Sequence, residues 1–129
     1  MIDSNNYVEE VLRSEPQDVE KMMERLSDIR VLRLLHASMG FCTEVGEFQD
    51  MLKKHIFQGR GIDFINAKEE LGDIMWYVGL AVDVLRTTLN EVMTGNIKKL
   101  RLRYPEKFSA EKSENRDLPA ERKLLEEIK

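Results

Sequence analysis

The pieces Glu44-Val45-Gly46-Glu47-Phe48 and Glu70-Leu71-Gly72-Asp73-Ile74 read alike: acid, apolar, glycine, acid, apolar. Each lies in a stretch with helical periodicity, where positions three apart share a face. Glu44 and Glu47 therefore project together, as do Glu70 and Asp73. Take the apolar stripes as Phe41, Val45, Phe48, Leu52 on the first helix and Leu71, Ile74, Val78, Leu85 on the second. The first acid of each pair then falls roughly 100° from the stripe residue that follows it, and the second roughly 160°, in the same sense. Antiparallel packing through those stripes brings four carboxylates to one edge of the interface.

Acid pairs on an exposed helix face are common, and most are solvated. The repeat and its matched rotation favour a site instead. Clustered carboxylates repel unless protons or cations compensate, and oxygen-only ligation suits Mg2+ or Mn2+. Gly46 and Gly72 each cost roughly 1 kcal/mol relative to alanine in a helix interior. Their presence fits a partner helix or a ligand approaching the backbone between the acids.

Composition agrees with long helices. Three prolines and seven glycines in 129 residues leave few breakers, and 34% of the chain is charged. The expected architecture is all-α, an antiparallel helical bundle completed by dimerisation. One domain is expected over 1–129, with a core at about 17–108 and a charged C-terminal tail at 109–129. The net charge of −4 argues against nucleic acid polymers as partners. Cys42 is the only cysteine, so an intrachain disulfide and a cysteine metal knuckle are excluded, and a small buried apolar role is expected for it. Residues 1–6 carry no signal-peptide pattern, and the apolar run from Ile74 to Val82 is too short to span a bilayer, so no membrane association and a cytoplasmic location are expected.

Local signals set the helix limits. A short helical hint at Tyr7-Val8 and Val11-Leu12 precedes Pro16, which is read in the first turn of the next helix. Ser27-Asp28 is a joint or cap, and an unbroken helix over 28–57 would run on the order of 45 Å. Gly59 fits a C-cap and Asp63 an N-cap for a helix over about 64–86. Thr88-x-x-Glu91 matches a capping box for a third helix, ended by Tyr104-Pro105. After Pro119, Leu124, Leu125 and Ile128 suggest either a small helix docked on a partner subunit or a loosely held tail.

Other chemistry is thin. Asn96, Lys99 and Arg103 share one face and could meet a polyphosphate, or form a solvated basic helix end. His36 lies too far from Glu44 to share its metal, and His55 reads as surface. Trp76 and Tyr77 could line a base pocket, although core or interface packing is the commoner use. A di-iron bundle would need Glu-x-x-His, and Arg33 and Leu52 stand three before His36 and His55.

Together these residues resemble a family. Glu44-x-x-Glu47, a 22-residue gap and Glu70-x-x-Asp73 look like the signature of MazG-like, all-α nucleoside triphosphate pyrophosphohydrolases, in their small, phage-like branch. Asn96-Ile97-Lys98-Lys99-Leu100-Arg101-Leu102-Arg103-Tyr104-Pro105 looks like the family's downstream segment, and Leu35-His36-Ala37, Phe57-Gln58-Gly59 and Trp76-Tyr77 add to the likeness. The family often carries two adjacent acids where this chain has Thr43-Glu44. The resemblance implies hydrolysis of an NTP or dNTP to the monophosphate and pyrophosphate. It implies Mg2+ held by Glu44, Glu47, Glu70 and Asp73, and phosphates met by Lys99 and Arg103 with Asn96 beside them. It also implies a homodimer or tetramer. A relative specialised for dUTP or dCTP, and a non-catalytic helical nucleotide-binding or interaction protein, are the competing expectations.

Overall fold

The computed structural model describes residues 3–128. The expected limits of the domain also take in Met1, Ile2 and Lys129, which lie outside the described residues. The chain is all-α, with no strand among the described residues. Its helices are α1 (Ser4–Ser14), α2 (Val19–Leu26), α3 (Ile29–Gln58), α4 (Phe64–Val84), α5 (Leu89–Arg103), α6 (Ala110–Glu114) and α7 (Leu118–Glu126).

The capping residues act where the sequence places them. Ser27 ends α2 and Asp28 opens α3, its Oδ1 accepting from the Arg30 backbone N–H at 2.9 Å. Gly59 closes α3 in the left-handed region, at φ 68°, where a glycine pays no Cβ penalty. Asp63 accepts from the N–H groups of Ile65 and Asn66. Thr88 and Glu91 form the reciprocal capping box of α5. Pro16, by contrast, falls outside α2, which Asp18 caps instead.

Among the described residues, helix packing beyond isolated contacts is confined to α3 on α4, α5 on α7 and α2 on α3. The α3–α4 pair is an antiparallel hairpin. Arg33 meets Asp83 at 2.7 Å near its open end, and a Cβ on Gly40 would lie 2.1 Å from the Tyr77 ring about two turns further in. The Tyr77 ring thus sits directly on the Gly40 backbone, where a side chain would have no room. Gly46 and Gly72, expected to admit such a close approach, have nothing within 4 Å of an added Cβ.

The seam follows the expected stripes only in part. Phe41, Phe48, Leu52, Ile74 and Val78 are half-buried but Val45, Leu71 and Leu85 are exposed, and the fully buried positions are Ala37, Gly40, Glu70 and Val84. A seam built from alanine and glycine lets the helices approach but buries little apolar surface. Val31, Leu32, Leu35 and Met39 on α3, Met75 and Trp76 on α4, and Val92, Met93 and Ile97 on α5 remain exposed. No described helix is long and apolar enough to cross a membrane.

Within the chain the tail is held rather than loose. It forms α6 and α7, and α7 packs on α5 of its own chain, with Leu125 and Ile128 over Gly95.

Candidate metal centre

The seam takes in only part of the acid motifs. Glu70 is 5% exposed and Glu44 is half-buried, whereas Glu47 and Asp73 are exposed. Glu44, Glu47 and Glu70 each offer one carboxylate oxygen, and these oxygens lie within 4.8 Å of one another. Asp73 stands outside that group. It borders Glu44 across a small cavity of about 280 Å³ that Trp76 and Tyr77 complete. The hairpin therefore brings three of the four expected acids together and sets the fourth alongside.

The electrostatics follow from this crowding. Desolvation raises the Glu44 pKa above its ordinary value, and the neighbouring charges of Glu47, Asp73 and Glu70 push it further the same way. A weak hydrogen bond from Thr43 Oγ1, at 3.4 Å, works against them. Glu70 is oriented by Asn66, whose Nδ2 donates to its Oε1 at 2.7 Å. Such an outer contact fixes which oxygen faces a ligand. An all-carboxylate set that is partly desolvated and mutually repelling suits a hard divalent cation.

On the side towards the α3–α4 turn, Glu47 and Glu70 open onto a cavity of about 710 Å³. Gly46 lies on its wall, so that glycine gives onto open space beside the acids. Cys42, expected to be buried, is exposed and lines the same cavity. On the other side, Tyr77 packs against the rings of His36, Phe41 and Trp76, at centroid distances of 5.7, 6.4 and 4.9 Å. Trp76 itself is 60% exposed at the edge of the small cavity.

The basic face of α5 lies apart from the acids within one chain. Asn96 and Lys99 line a separate cavity of about 430 Å³ beneath Leu125 and Ile128 of α7. Arg103 is committed to a carboxylate. Its Nε and Nη2 donate to the two oxygens of Glu121, each at 2.8 Å, and Glu121 is 4% exposed. Arg116 donates to the same carboxylate at 2.7 Å. Those two guanidinium groups hold the Glu121 carboxyl down at about 2. Nothing in the local pattern around Glu121 marks it. The signal is long-range, since its partner Arg103 stands on another helix.

A model described as the MazG nucleotide pyrophosphohydrolase domain matches residues 39–108. That span contains both acid motifs and the basic face of α5, and stops before α7. The Gene 37 protein of Mycobacterium phage L5 is 32% identical over 74 residues, covering 54% of this chain. The chain spans 65% of the length of that curated relative. No solved structure matches with significance.

Proposed function

The chain belongs to the MazG nucleotide pyrophosphohydrolase domain family, and from that premise we propose that it hydrolyses a nucleoside or deoxynucleoside triphosphate to the monophosphate and pyrophosphate, with Mg2+ as its cation. The observation that carries this reading is the convergence of Glu44, Glu47 and Glu70 oxygens within 4.8 Å across the α3–α4 seam. Packing alone gives no reason to bury a carboxylate beside two others.

In this reading Glu44, Glu47 and Glu70 hold the cation, and Asp73 completes the set from across the small cavity. When bound, Mg2+ would supply charge neutralisation on the triphosphate and activation of a water. Asn66 keeps Glu70 turned towards the cation position. One of the carboxylates takes the proton of the attacking water. No covalent intermediate is required.

Asn96, Lys99 and Arg103 remain our candidates for phosphate contacts. Since α5 is not packed on the acid-bearing hairpin of its own chain, they would serve the acids of a second copy, and Arg103 would first have to part from Glu121. The apolar residues left exposed along α3, α4 and α5 support a homodimer or tetramer that covers them. Its place of work is the cytoplasm, where nucleoside triphosphates are abundant.

The test is pyrophosphate release from a panel of NTPs and dNTPs with Mg2+, using Glu70→Gln as the control. Release that disappears in the variant supports the reading, and the ranking of substrates gives the base and sugar preference. A folded, Mg2+-loaded protein that releases no pyrophosphate from any nucleotide would sink it.

A further inference from the structure

The cavity of about 710 Å³ is polarised. At one end stand Glu47 and Glu70 of the carboxylate cluster, and on the α3–α4 turn stands Arg60. The other charged groups that line it are spent on the protein. Lys54 Nζ pairs with Asp50 Oδ2 at 2.5 Å, and Asp50, which also holds Lys53, is drawn down to about 2 by the two lysines. Asp63 caps α4 through two backbone N–H groups. Among the described residues lining this cavity, Arg60 is the one cation whose side chain makes no ion pair or hydrogen bond.

Its backbone, however, is held at both ends. Arg60 N–H donates to the Lys54 carbonyl at 3.3 Å. Its own carbonyl lies 2.6 Å from His55 Nδ1, so that ring nitrogen carries the proton and donates. Gly59, at φ 68°, turns the chain immediately before it. His55 thus has a job that its exposure conceals, which is to pin the turn. The outcome is an unpaired guanidinium on a fixed turn, facing a cavity whose other end is acidic. A guanidinium offers a planar fork of donors that matches phosphate oxygens, and the volume lies within the usual range for small-ligand sites.

We propose that Arg60 binds the distal phosphates of a polyphosphate whose proximal end is held, through a divalent cation, at Glu44, Glu47 and Glu70. This deepens the pyrophosphohydrolase reading and rests on it for the identity of the substrate. A chain of phosphates offers separate groups to the cation and to the guanidinium and so satisfies both charges of the cavity at once, whereas a monophosphate has one group for both. Arg60 is therefore a length-selecting contact, and in the hydrolytic reaction it meets the leaving pyrophosphate. There the Pα–O bond breaks, the oxygen of water bonds to Pα, and the bridging electron pair departs with the pyrophosphate.

The probe is inorganic tripolyphosphate, titrated calorimetrically into the full chain in Mg2+, with wild type, Arg60→Gln, Arg60→Lys and Lys112→Gln compared. We expect wild type to bind tripolyphosphate in preference to orthophosphate. R60Q should weaken tripolyphosphate binding by about ten-fold or more, as befits a lost charge-assisted contact, with Mg2+ binding unchanged. R60K should recover part of the loss, and K112Q, on α6, should bind like wild type. Failure of wild type to bind tripolyphosphate would overturn the proposal, as would equal binding by R60Q or an equal loss in K112Q. Should R60Q not fold, R60K carries the test, because an ammonium cannot reproduce the fork and should still bind several-fold more weakly. Tripolyphosphate held through Arg60 by a chain that hydrolyses no nucleotide would defeat the hydrolase and leave this contact standing. Hydrolysis unaffected by R60Q would do the reverse.

Discussion

Arg103 and Glu121 meet side-on, Nε to Oε1 and Nη2 to Oε2, both at 2.8 Å, and both side chains are largely withdrawn from water. The pair fastens α7 to α5, and Arg116 reinforces it from the α6–α7 connection. It also explains why α7 lies across the cavity lined by Asn96 and Lys99.

Replacing Glu121 with glutamine removes the charge from a site where two guanidinium groups converge and leaves Arg103 buried without its counter-ion. Breaking one partner of a buried pair costs more than the pair contributes. We expect α7 to detach, with amide exchange in Leu118–Glu126 rising by an order of magnitude or more, while α3 and α4 keep their protection. Unchanged protection in α7 would mean that Leu125 and Ile128 hold it without the ion pair.

The same pair predicts a pH dependence. The Glu121 carboxyl is depressed from an ordinary 4.5 to about 2, first by its hydrogen bond from Arg103 and then by that from Arg116. A depressed acid stabilises the folded form above its unfolded pKa and loses that contribution as pH falls through the folded one. Docking of α7 should therefore be at full strength at neutral pH and weaken progressively between about 4.5 and 2. Methyl NMR signals of Leu125 and Ile128, followed down in pH, report it directly. Loss of docking already at pH 6 would point to another group.

The helix limits were largely legible because caps are local. Asp28, Gly59, Asp63 and Thr88 each act within three or four residues of themselves, so their neighbours in sequence are their neighbours in space. The acid repeat was legible for the same reason. The innermost positions of the seam were not. Periodicity counts Val45 and Leu71 as core, but α3 carries apolar residues on several sides, and only the partner helix decides which side it covers. Ala37 and Gly40 carry little hydrophobic signal, yet they permit the close approach, and Glu70 is buried against the expectation for its type. Glu121 was invisible because the contact that matters is with Arg103, on another helix. Arg60 carries no signal of its own in the sequence, and its isolation from other charges emerges only once Lys54 is seen on Asp50.

Glu70→Gln should act in opposite directions with and without metal. Without Mg2+, the variant removes one of the charges that raise the Glu44 pKa and ends a repulsion inside the seam. The amide keeps an acceptor for Asn66, so the apo melting temperature should stay level or rise. With Mg2+ at about 100 times its Kd, the wild type gains roughly 2.7 kcal/mol by mass action, and the variant should lose most of that gain. Thermal denaturation of both proteins across a Mg2+ titration separates the two effects. An equal Mg2+-induced shift in the variant would remove Glu70 from the ligand set.

Gly40→Ala and Gly72→Ala should shift stability in opposite directions. Either change favours the helix by roughly 1 kcal/mol through propensity alone. At Gly72 nothing lies within 4 Å of the added methyl, so that gain should appear as a small rise in melting temperature. At Gly40 the methyl would stand 2.1 Å from Tyr77 Cε1. The ring cannot easily give way, because His36, Phe41 and Trp76 surround it. Overpacking of this kind costs about 1–3 kcal/mol or more, which outweighs the propensity gain, and the helices must part. That separation occurs one helical turn from Glu44, so Gly40→Ala should also weaken Mg2+ binding although it touches no carboxylate. Differential scanning calorimetry with and without Mg2+ reads both consequences. A Gly40→Ala protein as stable as wild type, binding Mg2+ equally well, would show that the seam has slack at the layer beside the acids.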